Sequence, residues 1–486
     1  MADTSYTARK SVADIIGSAD AEGGRALSKT LGAPSITAMG IGAIIGAGIF
    51  VLTGTAAAQF AGPGIILSFV LGGIACAFVG LCYSELAAML PVCGSTYTYT
   101  YATLGEVFAW IIGWDLILEY AMGAATVAVG WSGYIVSLLR NIGINIPPTL
   151  AAAPGTTVQL ADGTAATGTI NLPAVLIIAI LTAMLVLGTR ESARINNVMV
   201  AIKLTVVVAF IAIGAFFVHP ANWHPFVPPN TGAFGSFGAS GILRGSAVVF
   251  FAFIGFDAVS TAAQEAKRPQ RDMPIGILGS LVICTLLYIL VAAVLTGLVP
   301  YAQLNVPDPI AKGVDAIGFT WFSVLIKIGA LTGLTTVILV LLYGQSRIFF
   351  TMSEDRLLPH LFSTVHPRLH TPHRSQIMIG TVVAIVAALT PIGVLGEMVS
   401  IGTLFAFVLV CGAVMYLRRS DSDASRPFRA PGVPVVPILG IAFCVLLMAG
   451  LPLITWVRLV VWLLIGMLIY MSYGRHHSRL RHPERE

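Results

Sequence analysis

Two glycine-interrupted apolar stretches carry the groups with which this chain could hold a small charged molecule. The first, GAIIGAGIF, runs from Gly42 to Phe50, and the second, FFAFIGFD, runs from Phe250 to Asp257. Glycine costs about 1 kcal/mol in a helix interior relative to alanine. Irregular backbone at membrane depth is tolerated only where protein or a watery cavity surrounds it. We therefore predict two broken membrane helices, a pattern that indicates a binding site between them.

The first break should free main-chain donors and acceptors. The N–H groups of Ala47, Gly48 and Ile49 would begin an outer half-helix, whose positive dipole end suits an anion. The carbonyl of Ile44, together with those of the second break (residues 251–254), suits a cation. An α-amino acid carries both charges on neighbouring atoms, so it is the predicted ligand.

A competing interpretation of the first break is a packing face. Gly42, Gly46 and Gly48 have the small-residue spacing that lets helices approach closely. A dinucleotide-binding loop is excluded, because no strand precedes these glycines and no acidic residue follows at the required place.

Some ionisable residues lie inside apolar segments, among them Lys203, Glu119 and Asp115. Lys203 in NNVMVAIKLTVVV would cost about 2.5–3.5 kcal/mol if isolated in lipid, so it should face a polar interior. We predict a titratable group that takes the place of a coupling sodium ion, with snorkelling to the interface as the alternative. Glu119 and Asp115 lie one helical turn apart, so at least one should be neutral or paired. Glu119 is predicted to line the site or to be a proton partner, and a buried structural hydrogen bond is the alternative.

Apolar side chains should complete the site. Phe251 and Phe253 flank the second break and could act as lids, although core packing alone would also explain them. Asp257 is placed to cap the following half-helix. Leu334 should face the pocket and is apolar. Neutral amino acids are therefore at least as compatible with the site as arginine or lysine.

The elements that position these residues are membrane helices. The 486-residue chain is 57% hydrophobic and 10% charged, whereas a soluble protein carries about 25% charged residues. A spanning helix needs about 20 apolar residues, and about twelve segments qualify. The sequence predicts an all-α polytopic membrane protein. The N-terminus is polar up to Gly32, so it is not a secretory signal.

Basic residues set the predicted orientation. They gather in every second connection, at residues 9–29, 190–194, 267–271, 347–374, 418–429 and 475–485. The positive-inside rule then places both termini in the cytoplasm, as expected of a plasma-membrane protein. The net charge of +5 thus reflects topology, and its spread over several loops argues against a nucleic-acid partner.

The matched breaks imply an internal repeat. The chain is predicted to comprise a cytoplasmic segment (1–33), two repeats of about five spans each (34–218 and 241–417), two trailing spans (434–474) and a cytoplasmic tail (475–486). The repeats should be inverted, because five spans separate the two breaks. At 1.5 Å per residue, Gly46 and Gly255 both lie about 20 Å inside the membrane, entering from opposite faces.

Cysteine and histidine exclude other chemistry. The six cysteines lie in or beside apolar segments without metal or redox spacing, and the nine histidines fall in loops or tails. We therefore expect no metal and no cofactor other than a coupling proton. A membrane hydrolase would need His, Asp or Glu side chains clustered at one depth. No histidine lies in a predicted span, so an enzyme is not expected.

Taken together, several motifs resemble a known group. GAIIGAGIF, FFAFIGFDAVSTAAQE, GTRES before Asn196 and SRIFFTMSEDRLLP (346–359) are similar to the amino acid–polyamine–organocation superfamily, and especially to its cationic amino acid transporter branch and bacterial homologues. The resemblance covers nearly the whole chain. It implies the leucine-transporter fold, in which spans 1, 2, 6 and 7 rock against the other spans.

The resemblance also implies roles for single residues. Carbonyls of Ile44, Phe251 and Ile254 would bind the substrate amine, and amides of residues 47–49 its carboxylate. Phe251 would be the aromatic gate, Lys203 the replacement for sodium, and Glu119 the third-span acid. Two departures stand out: Ala47 replaces the usual Ser or Thr, and Arg356 replaces the glycine of DGLLP.

The implied function is import of amino acids by proton symport with alternating access. An exchanger of amino acids or amines with the same fold is the alternative within transporters, and an amino acid sensor without flux is the alternative from another class. Membrane lipid is an expected partner. Symport versus exchange, oligomeric state and a small membrane partner protein are open at the sequence level.

Overall fold

The structure, a computed structural model, describes residues 31–89, 96–159, 164–188, 193–257, 259–260, 263, 266–369, 371–420 and 426–481. Residues 1–30 and 482–486, which include most of the predicted N-terminal segment and the end of the tail, lie outside this range, as do residues 189–192 of the GTRES motif. The principal helices are α1 (Ala33–Ile44), α2 (Ile65–Met89), α3 (Thr96–Thr103), α4 (Glu106–Asn141), α5 (Leu172–Leu187), α6 (Ala193–Gly214), α7 (Gly238–Val249), α8 (Pro269–Leu298), α9 (Pro309–Asp315), α10 (Thr320–Glu354), α11 (His373–Leu389), α12 (Ile392–Ser420), α13 (Val435–Ala449) and α14 (Leu453–Ile469).

Helix lengths agree with a multi-pass membrane protein. Among the described residues, seven helical stretches are long and apolar enough to cross a bilayer. They are Gly48–Met89, Glu106–Asn141, Val198–Phe217, Pro269–Leu298, Thr320–Glu354, Ile392–Ser420 and Leu453–His477. Five shorter apolar helices accompany them. The number of crossings and the inverted repeat stay predictions.

Local sequence explains where individual helices begin and end. At α5, the side chain of Asn171 accepts a hydrogen bond from the N–H of Ala174 at 3.2 Å, which caps the helix. The same helix ends at Gly188, whose φ of 76° is left-handed and suits glycine.

The all-α expectation omitted one small hairpin. Strands β1 (Thr157–Gln159) and β2 (Ala165–Thr167) pair antiparallel, with Thr157 opposite Thr167. Threonine and valine favour strands, and an Asp–Gly pair in the intervening sequence is a hairpin signal.

The two broken helices lie inside the helical bundle. α8 packs along α1 and α2, while α4 packs along α10 and α12. The helical turn that follows the first break touches the turn Phe250–Phe253 before the second. The large core cluster includes both segments. The packing therefore surrounds the irregular backbone with protein.

Two buried ion pairs tie α12 to other helices. Near one end of α12, Glu397 pairs with Arg244 of α7 and accepts a hydrogen bond from the hydroxyl of Thr455 at 2.6 Å. Near its other end, Arg418 donates hydrogen bonds to both carboxylate oxygens of Glu85 on α2, from Nε at 2.8 Å and from Nη2 at 2.7 Å. Because each acid is largely removed from water, its partner is needed to offset desolvation.

Candidate substrate-binding site

The first apolar stretch is interrupted where the glycines predicted it. α1 ends at Ile44, Ile45 is extended (φ −72°, ψ 101°), and helical structure resumes at Gly48. Among the backbone hydrogen bonds of the described residues outside regular helix and strand ladders, none uses the N–H of Ala47, Gly48 or Ile49 as donor. These three N–H groups lie at the start of the outer segment (residues 47–61), and their binding of an anion stays a prediction.

The second stretch is interrupted in a different way. α7 continues as a tight turn, Phe250–Phe253, after which Ile254 is extended (φ −62°, ψ 140°). Gly255 has φ 108°, a conformation that favours glycine. Its N–H donates to Oδ1 of Asp257 at 3.2 Å. The Asp257 side chain thus accepts a hydrogen bond within the break. Its capping of the following half-helix stays a prediction, because residues 258, 261–262 and 264–265 lie outside the described residues.

The breaks lie directly against each other. A Cβ atom on Gly48 would overlap the Cα of Ala252, and one on Gly255 would lie 2.8 Å from the carbonyl oxygen of Ala43. Gly42 likewise packs against Val200 of α6. The packing interpretation of the glycines is therefore correct as well, since the same residues interrupt the helices and let the two backbones meet.

Tyr288 of α8 is a residue that the sequence analysis missed. Its hydroxyl lies 2.9 Å from the carbonyl oxygen of Ile44 and 2.8 Å from that of Ala252, so it bridges the two broken helices. The Ile44 carbonyl, expected to be unpaired, therefore already has one donor. A tyrosine in an apolar helix needs a partner for its hydroxyl, and that was the available signal.

Lys203 of α6 reaches the end of α1. Its ammonium donates to the carbonyl oxygen of Gly42 and, at 3.2 Å, to that of Ile45. The side chain is fully buried, so the snorkelling alternative is wrong. Its aliphatic stem lies beside Gly333 of α10, where a Cβ would be 3.3 Å away. A cationic group thus occupies the carbonyl end of the first break.

Glu119 lies elsewhere on α4. It is buried and lies close to Thr403 of α12 and to Asp257. The α4 residue beside Ala47 of the first break is Gly130. Gly130 lies eleven positions after Glu119, which corresponds to about 16 Å of helical rise. Glu119 is placed beside the second break, not at the N–H groups of the first.

Asp115, one turn before Glu119, is fully buried. Neither of its carboxylate oxygens has a hydrogen-bond partner among the described residues. It faces Gly402 of α12, where a Cβ would lie 3.1 Å from Oδ1.

The predicted apolar residues divide into two groups. Phe251 and Ile254 are buried at the second break, at 6% and 9% exposure. The ring of Phe253 instead packs between Phe69 and Tyr288, with centroids at 6.3 and 5.5 Å, which is the core-packing alternative.

On α10, Leu334 is fully buried. Val337, one turn further on, faces the first break, because a Cβ on Gly46 would lie 3.5 Å from its Cγ2. Val337 was not among the predicted residues, since α10 is apolar on all sides and its pattern does not identify one inward face.

The arrangement can do binding chemistry. It combines N–H groups at the start of a helical segment, a buried ammonium ion and apolar side chains around two touching main-chain segments. Among the described residues, no group of three or more His, Cys, Asp or Glu side chains is arranged to hold a metal ion.

Comparison with known proteins agrees with this arrangement. A family profile described as amino acid permease matches residues 31–473. The chain is 49% identical to the branched-chain amino acid permease BcaP of Bacillus subtilis (strain 168), over 97% of this chain and 98% of the relative. It is 45% identical to the methylthioribose transporter of the same organism, over 94% and 95%. It is 32% identical to the vacuolar cationic amino acid transporter 4 of Arabidopsis thaliana, over 94% of each chain.

These relatives are transporters, not enzymes, and they match nearly from end to end. Long apolar helices, two touching helix breaks and a membrane-buried lysine are consistent with that activity. The chain belongs to the amino acid permease family, within the part of the amino acid–polyamine–organocation superfamily that includes the cationic amino acid transporters.

Proposed function

We propose that the protein imports neutral amino acids, branched-chain ones above all, by proton symport. The observation that carries the proposal is the contact between the two breaks, where the N–H groups that begin the outer segment lie beside a second irregular segment. A carboxylate would bind the N–H groups of residues 47–49. The ammonium group would bind carbonyls of the second break, at Phe251 and Ile254.

Proton coupling is supported by Lys203. A sodium ion would need oxygen ligands, and the carbonyls of Gly42 and Ile45 are already bound to the ammonium of this lysine. The protonated lysine can then bind the carbonyls at the end of α1 as a metal cation would. Loss of the proton would weaken these hydrogen bonds and allow the break to change conformation. Glu119 is the second candidate carrier, because it is a buried acid beside Asp257.

Alternating access would use the two inverted repeats, residues 34–218 and 241–417. About twelve spans with both termini in the cytoplasm would place the breaks near the middle of the plasma membrane. Residues 434–474 would add two spans outside the repeats, and residues 1–33 and 475–486 would lie in the cytoplasm.

The side-chain preference is inferred from the apolar surroundings and from one relative. Val337 faces Gly46, and Ile254 is buried next to the second break. An apolar pocket rejects a charged side chain because desolvation of the charge is not repaid. The relative with 49% identity is named as a branched-chain amino acid permease, which favours leucine, isoleucine or valine.

Uptake into proteoliposomes tests the proposal. Labelled leucine should accumulate faster with an inward proton gradient than without it, and unlabelled isoleucine should compete while arginine should not. Uptake that ignores the gradient but depends on internal amino acid would identify an exchanger. Binding without any uptake would identify a sensor.

Methylthioribose is a second candidate substrate, because a relative with 45% identity is named as its transporter. The same vesicles test it directly. Uptake of labelled methylthioribose, unaffected by excess leucine, would replace the amino acid assignment.

A further inference from the structure

The C-terminal part of the chain folds back onto Glu106 at the start of α4. The buried carboxylate accepts hydrogen bonds from the hydroxyl of Tyr470 and from Nε of Arg481, both at 2.8 Å. It also accepts one from the hydroxyl of Ser478 and one, at 3.1 Å, from the hydroxyl of Tyr101 on α3. Glu106 is 0% exposed, so these donors replace the water that the carboxylate lost on burial.

A second attachment lies at Asp355, directly after α10. The backbone N–H of Arg479 donates to the carbonyl oxygen of Asp355 at 3.2 Å. The hydroxyl of Tyr97 on α3 donates to the Asp355 carboxylate at 2.7 Å. Glu106 and Asp355 thus each bind one tyrosine of α3, and both also contact the C-terminal part of the chain. We call residues 475–481 the tail strap.

The other end of α3 reaches the second break. The hydroxyl of Thr96 lies 2.7 Å from that of Tyr83 on α2. The Tyr83 ring packs edge to face against Phe256, with centroids 5.5 Å apart. Phe256 follows Gly255 directly, so α3 connects the tail strap to the irregular backbone of the site through two contacts.

We propose that the tail strap is a conformational restraint that holds α3 under the second break and slows opening of the site toward the face that carries the C-terminus. This inference rests on the proposed transport function, and the proposed topology places that face in the cytoplasm. If the strap detached while α3 stayed in place, Glu106 would remain buried with only two of its four hydrogen-bond donors, which is unfavourable. Release of the strap and movement of α3 are therefore coupled.

Arg481→Ala and Arg479→Ala form a matched pair of variants. Both remove one positive charge from the strap, but Arg479 is exposed and its bond to Asp355 uses the backbone. In nanodiscs, amide hydrogen exchange in residues 96–103 should be about fivefold faster in Arg481→Ala than in wild type and unchanged in Arg479→Ala. Efflux of labelled leucine from loaded proteoliposomes should accelerate by a similar factor in Arg481→Ala alone.

Unchanged exchange of residues 96–103 in Arg481→Ala would overturn the proposal. A uniform increase over all helices would also overturn it, because the strap would then only stabilise the fold. If Arg481→Ala does not yield folded protein, Ser478→Ala is the second variant and is judged by the same two outcomes. Hydrogen exchange needs no substrate, so absence of leucine uptake by the wild type would refute the transport proposal separately.

Discussion

Replacement of Lys203 by methionine should uncouple uptake from the proton gradient. The ammonium group donates to two carbonyl oxygens at the end of α1, those of Gly42 and Ile45. Hydrogen bonds from a charged donor contribute about 1.5–3 kcal/mol each. Loss of both hydrogen bonds therefore destabilises the attachment of α6 to the first break by about 3 kcal/mol or more. This corresponds to at least about a hundredfold change in the equilibrium constant between the attached and detached states.

Methionine is preferred to alanine because it fills most of the space beside Gly333 that the lysine stem occupies. Leucine uptake by Lys203→Met should be the same with and without an inward proton gradient. Lys203→Ala should also lose pH dependence, although the cavity would add instability. Substrate binding, followed by leucine-dependent thermal stabilisation, should be reduced less than coupling.

Lys327→Met is the matched control. Lys327 is also buried in a membrane helix, at 2% exposure, but it bonds the side chain of Asn141 on α4, not α1. This variant should keep the response to the gradient. A Lys203→Met protein that responds to the gradient as strongly as wild type would refute the role given to this lysine.

Three further predictions concern other parts of the molecule. Gly48→Ala should abolish uptake, because the added Cβ would overlap the backbone of Ala252; a normal uptake rate in vesicles would show that the breaks do not need to touch. Glu397→Gln should lower the free energy of unfolding by about 3 kcal/mol, since Arg244 would stay buried without its charge partner, and thermal unfolding in detergent measures this. Asp308 lies in the connection between α8 and α10, and burial raises the pKa of its carboxyl. The folded state therefore binds this proton more tightly than the unfolded state, and stability from this group falls as pH rises through the raised pKa. Asp308→Asn should accordingly be more stable than wild type at about pH 8, and the difference should vanish at about pH 4; an equal difference at both pH values would contradict this.

The breaks were predictable in part, because glycine in the middle of an apolar helix is unfavourable and the interruptions lie at Gly46 and Gly255. Glycine is not sufficient by itself, since α4 runs unbroken through Gly113, Gly123 and Gly130. Burial of Lys203 was predictable for a similar reason, since a lone charge in lipid is costly.

The partners of these residues were not predictable, because they depend on how helices rotate and pack. Lys203 and the carbonyls that it binds are about 160 residues apart in the sequence. Tyr288 and Ile44 are 244 residues apart in the sequence. Helices that are apolar on every side give no periodic signal for their inward face. Val337, which faces the break, was therefore not predicted, and the role of Leu334 stays a prediction.

Glu119 illustrates the same limit for charges. Its burial was predicted from its position in α4, but its neighbours Thr403 and Asp257 come from α12 and from the second break. The ion pair of Arg244 with Glu397 joins residues 153 positions apart, and no local pattern links them.

A structure of the protein with bound leucine would show where the substrate lies. Ligand density should appear between the two breaks, with the carboxylate within hydrogen-bonding distance of the N–H groups of residues 47–49 and the ammonium group at carbonyls of residues 251–254. Leucine bound elsewhere, or held there by side chains while these main-chain groups stay unoccupied, would contradict this prediction.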